Sequence, residues 1–163
     1  MPEASLDRHQ RAAEGFLELG LPLDGWEELE QIAPERRGEL EVILLRIRIL
    51  AQLARWEEVL VIGEGAAAHY PNCGRIYSFS ATAAYSIGRP EIAIDILKLG
   101  IQRLPSDPDL AYTLACFLCQ VGDVKNSREI LSSAFDLDPN LRLKAIKDPD
   151  LEPLWDSLGG PIA

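Results

Sequence analysis

Gly20, Ala54, Gly88 and Gly122 are spaced 34 residues apart, and Pro71, Pro105 and Pro139 repeat the same interval. A period of this length means one small supersecondary unit copied along the chain, each copy burying its apolar face against its neighbours. Two kinds of break punctuate the copies. At Gly20-Leu21-Pro22, Gly88-Arg89-Pro90 and Gly122-Asp123-Val124, glycine permits the left-handed conformation that ends a helix, and proline suits the first turn of the next. At Tyr70-Pro71-Asn72, Leu104-Pro105-Ser106-Asp107-Pro108 and Asp136-Leu137-Asp138-Pro139-Asn140, proline stops a helix and Asn or Asp caps the one that follows. Between the breaks, Arg75 to Ile87 and Leu110 to Val121 carry apolar and small residues three and four apart, and no run alternates as a half-buried strand would. The chain is expected to be all-α, with hinges inside helical hairpins and joints between them.

At 163 residues the chain is long enough to bury roughly two-thirds of the surface its unfolded form exposes, without help from a metal or a disulfide. Its 26 acidic and 16 basic residues give a net charge of -10, which repels phosphate backbones and anionic lipid alike in the absence of a basic cluster. Neither nucleic acid nor membrane is an expected partner. The apolar stretch Val42-Ile43-Leu44-Leu45 is interrupted by Arg46 and Arg48, far short of the ~20 residues of a membrane span. Residues Met1 to Asp7 lack the basic start and apolar stretch of a secretory signal. Three cysteines, Cys73, Cys116 and Cys119, are too few and too odd in number for a disulfide scaffold, which agrees with a reducing compartment. Cytoplasmic localisation is the expectation.

Aligned on the hinges, residues 40–73, 74–107 and 108–141 form three contiguous units without insertion, and each resembles a tetratricopeptide repeat. Small residues recur where that family packs its paired helices closely: Ala81 and Ala115 in the first helix, Ala93 and Ser127 early in the second, Ala66, Gly100 and Ala134 near its end. Ala134-Phe135-Asp136-Leu137-Asp138-Pro139-Asn140 is similar to the repeat's usual ending, and Ala54-Arg55-Trp56-Glu57-Glu58-Val59 to its usual hinge. An earlier unit, 6–39, keeps the hinge phase at Gly20 and places Ala13 and Phe16 on the expected face, but closes early at Pro34; it reads as a shortened, degenerate repeat. Residues 142–158 resemble a tail that follows the last repeat in many bacterial members. There Leu151, Leu154, Trp155 and Leu158, three and four apart, are spaced to cover the open end of the stack. The resemblance implies a single domain over 1–163, a right-handed superhelical solenoid of antiparallel helix hairpins with a C-terminal capping helix.

In that family the first helix of each hairpin lines a concave groove, and function lives there rather than in the fold itself. Carried over residue by residue, the groove columns are Glu41, Leu44, Arg48 and Gln52; Arg75, Ser78, Phe79, Thr82, Tyr85 and Ser86; and Asp109, Tyr112, Thr113, Cys116, Cys119 and Gln120. The shortened repeat adds Gln10, Arg11, Glu14 and Glu18. Guanidiniums interleaved with aromatics suit an extended peptide, since Arg pairs with carboxylates while Tyr and Phe supply apolar area with little entropy to lose. Arg48, Arg75, Ser78, Phe79, Thr82, Tyr85, Tyr112, Cys116 and Gln120 are the candidate peptide-binding residues. The Lys/Asn/Arg clamp with which some members grip a chaperone's acidic C-terminal tail is missing: its columns read Gln10, Leu44, Ser78, Tyr112 and Glu14, Arg48, Thr82, Cys116.

Cys116-Phe117-Leu118-Cys119 is the motif closest to chemistry, with two thiols on one helical face. It lies mid-helix rather than at a helix start, where a thiol pKa is lowered, and a zinc site needs two further ligands. Glu27-Glu28 and Glu57-Glu58 point about 100 degrees apart on a helix, which is no facing acid/base pair. Ser78, Ser80 and Ser86 have no His placed to activate them, and Gly63-Glu64-Gly65 lacks the strand of a nucleotide loop, its glycines serving instead for close helix approach. The sequence thus points to a non-enzymatic protein- or peptide-binding adaptor without metal or cofactor. The alternatives are a small acidic assembly or secretion chaperone for an aggregation-prone partner, and a thiol redox protein acting through Cys116 and Cys119. Self-association through terminal helices is a further expectation.

Overall fold

The computed structural model describes residues 2–159, with side chains from Arg8 onward. The elements in order are α1 (Pro2–Glu18), α2 (Pro22–Glu30), a 3-10 turn (Pro34–Arg36), α3 (Leu40–Gln52), α4 (Trp56–His69), α5 (Gly74–Ser86), α6 (Pro90–Arg103), α7 (Pro108–Gln120), α8 (Val124–Leu137), α9 (Leu141–Ala145), a 3-10 segment (Pro149–Leu154) and α10 (Trp155–Leu158). No strand occurs among the described residues, so the all-α expectation holds. No helix among them is long and apolar enough to cross a membrane. The chain divides into two compact units, Met1–Ile87 and Gly88–Ala163.

The 34-residue period is a backbone property. Gly20, Ala54, Gly88 and Gly122 all adopt positive φ, at 71°, 53°, 77° and 86°. At three of these hinges the same pair of hydrogen bonds closes the helix. The Leu21 amide donates to the Phe16 carbonyl at 2.8 Å and Gly20 to Leu17 at 3.2 Å; Arg55 donates to Leu50 at 2.9 Å and Ala54 to Ala51 at 3.1 Å; Asp123 donates to Leu118 at 2.9 Å and Gly122 to Cys119 at 3.0 Å. This is the Schellman arrangement, which satisfies terminal carbonyls that an abrupt helix end would leave bare. At the starts, the Asp107 carboxylate accepts from the Asp109 and Leu110 amides of α7, and Asp123 accepts from the Asn126 amide of α8.

In the N-terminal unit, Ala13, Leu17, Leu29, Ile32, Val42, Leu45 and Ile49 form one core across α1, α2 and α3. Against α4, helix α5 comes so close that a Cβ built on Gly63 would lie 2.0 Å from Ser80 Oγ, whereas one on Gly65 would meet nothing within 4 Å. Only the first of those two glycines serves helix approach. Arg46, at a column where the repeat calls for an apolar residue, is accommodated by Trp26. Its guanidinium lies 4.9 Å from the ring centroid and pairs with Glu30 at 2.5 Å, while Arg55 lies 5.6 Å from the same ring. Among the described residues its buried Nε has no hydrogen-bond partner.

In the C-terminal unit, α7 and α8 pack through Ala111, Ala115, Leu131, Ala134 and Phe135. Fully buried Ser127 donates from Oγ to the Ala115 carbonyl at 2.7 Å. The same core takes in Leu141, Ala145, Leu151 and Leu154 from the C-terminal segment. That segment is not one capping helix. Pro149 and Pro153 limit it to a 3-10 run ending in the single turn of α10.

Candidate functional site

The face predicted for peptide binding falls partly in each unit. In the N-terminal unit it is carried by α3 and α5, which contact one another. Arg48 is half-buried, and among the described residues no carboxylate pairs with it. Arg75 is exposed, with Nη2 3.7 Å from Glu41 Oε1. A solvated pair at that distance is worth little and leaves the guanidinium available to a better acceptor. Ser78, Phe79, Thr82 and Tyr85 are all half-buried, and the Thr82 hydroxyl donates back to the Ser78 carbonyl at 2.9 Å. Two cations and two partly covered rings therefore sit on adjacent helices. Leu44, from the same column, belongs instead to the core with Ala66 and Ile76.

In the C-terminal unit the structure corrects the expectation of an open groove. Tyr112 and Cys116 retain 3% and 6% of their surface, because the chain's own C-terminal segment lies over α7. The Tyr112 hydroxyl donates to Asp148 Oδ2 at 2.7 Å, and the Cys116 thiol points at the same oxygen from 3.9 Å. Gln120 Nε2 donates to the Asp150 carbonyl at 3.2 Å, and Lys144 Nζ stands 4.2 Å from the centroid of the Tyr112 ring. Leu151 and Leu154 are fully buried beneath this polar rim. Asp148, Asp150 and Lys144 are functional neighbours that sequence reasoning missed. The spacing of Leu151, Leu154 and Trp155 signals that the tail packs somewhere, but nothing local tells that its seat is the Tyr112 column.

The geometry also decides the chemistry of the cysteine pair. Both thiols are free and buried. Burial pushes the Cys116 thiol far above its ordinary range, and the Asp148 and Asp150 carboxylates push it further; burial raises Cys119 as well. Tyr112 is likewise held neutral, first by burial and then by its bond to Asp148. Asp150 is raised by burial and by the neighbouring Asp148 charge. A thiol needs to ionise to attack or to bind metal, and this site opposes ionisation. Donor atoms of Cys116, Asp148 and Asp150 do lie within 4.8 Å of one another. Asp148 is already engaged by the Tyr112 hydroxyl, and the cluster is explained as the seat of the tail.

No family model matches the chain, and no curated protein matches it either. Solved structures do. TTC0263, a thermophilic TPR protein of Thermus thermophilus, superposes with a TM-score of 0.74 at 19% identity, over 94% of this chain and 82% of that one. A crystal structure of MamA protein gives 0.73 at 12% identity, over 98% and 85%. MamA from Desulfovibrio magneticus RS-1 gives 0.67 at 17% identity, over 91% and 88%. At such identities the likeness establishes the fold, which is of the tetratricopeptide type.

Proposed function

We propose, from a fold of the tetratricopeptide type, that this chain is a non-enzymatic, cytoplasmic adaptor that holds an extended acidic segment of a protein partner on the α3–α5 face. The observation that carries this reading is Arg48, a half-buried residue whose guanidinium has no carboxylate partner among the described residues, on α3 in contact with α5, the helix that carries Arg75, Phe79 and Tyr85. A partly desolvated cation without a counter-charge gains more from an incoming carboxylate than a fully solvated one does. The half-buried rings of α5 add apolar area for neighbouring side chains of such a segment. The redox alternative loses its support because both thiols are buried and held protonated. No observation in the site favours the secretion-chaperone alternative over the general adaptor. Self-association is a second reading, favoured by Leu19, Leu21 and Leu23, which stand exposed together around the α1–α2 hinge; sedimentation at rising concentration tests it.

The test of the adaptor reading is selection of a displayed random-peptide library on the full chain, followed by affinity measurement against Arg48→Glu/Arg75→Glu. Selected peptides should carry an acidic residue next to an apolar one. Loss of charge-assisted bonds of about 1.5–3 kcal/mol each predicts binding weaker by roughly tenfold or more in the variant. Peptides that bind wild type and variant alike, with the helical circular dichroism of both unchanged, would remove the α3–α5 face from consideration.

A further inference from the structure

The segment over α7 has the features of a ligand. It meets three polar side chains of the helix: a carboxylate for the Tyr112 hydroxyl and the Cys116 thiol, a backbone carbonyl for Gln120. Beyond these contacts it inserts two leucines, Leu151 and Leu154, with no surface left exposed. Its own bonds are local. The Leu151 amide donates to the Asp148 carbonyl, the Asp150 amide to the Asp148 carboxylate, and Trp155 closes the segment, its indole donating to the Ala145 and Asp148 carbonyls. A short segment whose own bonds are local keeps them when it leaves the surface, so it can open as a unit without global unfolding.

We propose that residues 148–155 are a latch over a second, latent binding site on α7, and that the ligand of this site is a partner segment of the same chemistry. Such a segment is acidic, with an Asp-Pro turn followed by leucines three apart. The latch and the ligand compete for one seat. Affinity for the ligand is therefore reduced by the fraction of molecules that are latched, and any change that loosens the tail raises it. The site is independent of the α3–α5 face, and neither reading depends on the other.

The probe is a labelled synthetic peptide of residues 146–158, used with the full chain as wild type, Leu151→Ala and Trp155→Ala. Both substitutions leave the charge around the thiols unchanged, and Trp155→Ala, at a half-buried position, serves if Leu151→Ala does not fold. Alkylation is followed residue by residue by mass spectrometry, with Cys73 in the N-terminal unit as the internal control. In the variants Cys116 should be modified at least tenfold faster than in wild type while Cys73 is unaffected. Saturating peptide should slow Cys116 back toward the wild-type rate, and should bind the variants at least tenfold more tightly than wild type. A peptide that leaves the Cys116 rate unchanged, or Cys116 and Cys73 accelerating together, would overturn the proposal. Arg48→Glu/Arg75→Glu should respond as wild type in this assay, so failure here is separable from failure of the adaptor reading.

Discussion

Ala54 stands at a φ of 53° in a position that glycine fills at 20, 88 and 122. A Cβ in the left-handed region costs ~1–2 kcal/mol, part of which glycine gives back by loosening the unfolded chain. Ala54→Gly is expected to stabilise by about 0.5–1 kcal/mol, seen as a higher urea midpoint at unchanged slope. The α4 glycines separate in sign. Gly63→Ala brings a methyl against Ser80, whose Cβ as well as Oγ is too close, and overpacking of ~1–3 kcal/mol exceeds the gain in helix propensity. Gly65→Ala meets open space and should stabilise by up to ~1 kcal/mol in the same titration. The left-handed hinges were legible in the sequence because they depend on one residue and its spacing. Arg46 was not: a guanidinium in an apolar column makes sense only once Trp26 and Glu30, from another helix and its end, are seen to receive it.

Helix starts are local in the same way, and the sequence marks them. Asp123 caps α8 through the Asn126 amide, whereas Arg55 and Arg89, at the corresponding starts of α4 and α6, make no side-chain cap. Asp123→Ala should therefore cost about 1 kcal/mol of stability, read from the urea midpoint, while Arg55→Ala removes no cap and loses its exposed pair with Glu58 and its contact with the Trp26 ring. The sequence reads the N-terminal repeat as shortened; α2 is a nine-residue helix followed by the 3-10 turn at Pro34. Less legible was the tail. Apolar spacing identifies Leu151 and Leu154 as buried, but the surface that buries them is a tertiary match between segments more than thirty residues apart.

Over the molecule, the sequence leads to one domain across 1–163, and the structure resolves two compact units meeting in sequence at Ile87 and Gly88. If the domain is single, the slowest-exchanging amides of α3 and of α7 should share one free energy of opening and one denaturant dependence in native-state hydrogen exchange. Distinct values would make the units separate domains. The groove residues divide less cleanly: Arg48, Arg75, Ser78, Phe79, Thr82 and Tyr85 of α3 and α5 keep accessible surface, whereas Leu44 of α3 and Tyr112, Cys116 and Cys119 of α7 are buried. That covering also has an order in time. The ribosome makes α7 first and residues 148–154 last of the contacts that bury it, and at ~5–20 residues per second the gap lasts on the order of seconds. During every round of synthesis the Tyr112 face is thus presented bare, and the newborn chain has a brief interval in which a partner can reach α7 before its own tail does.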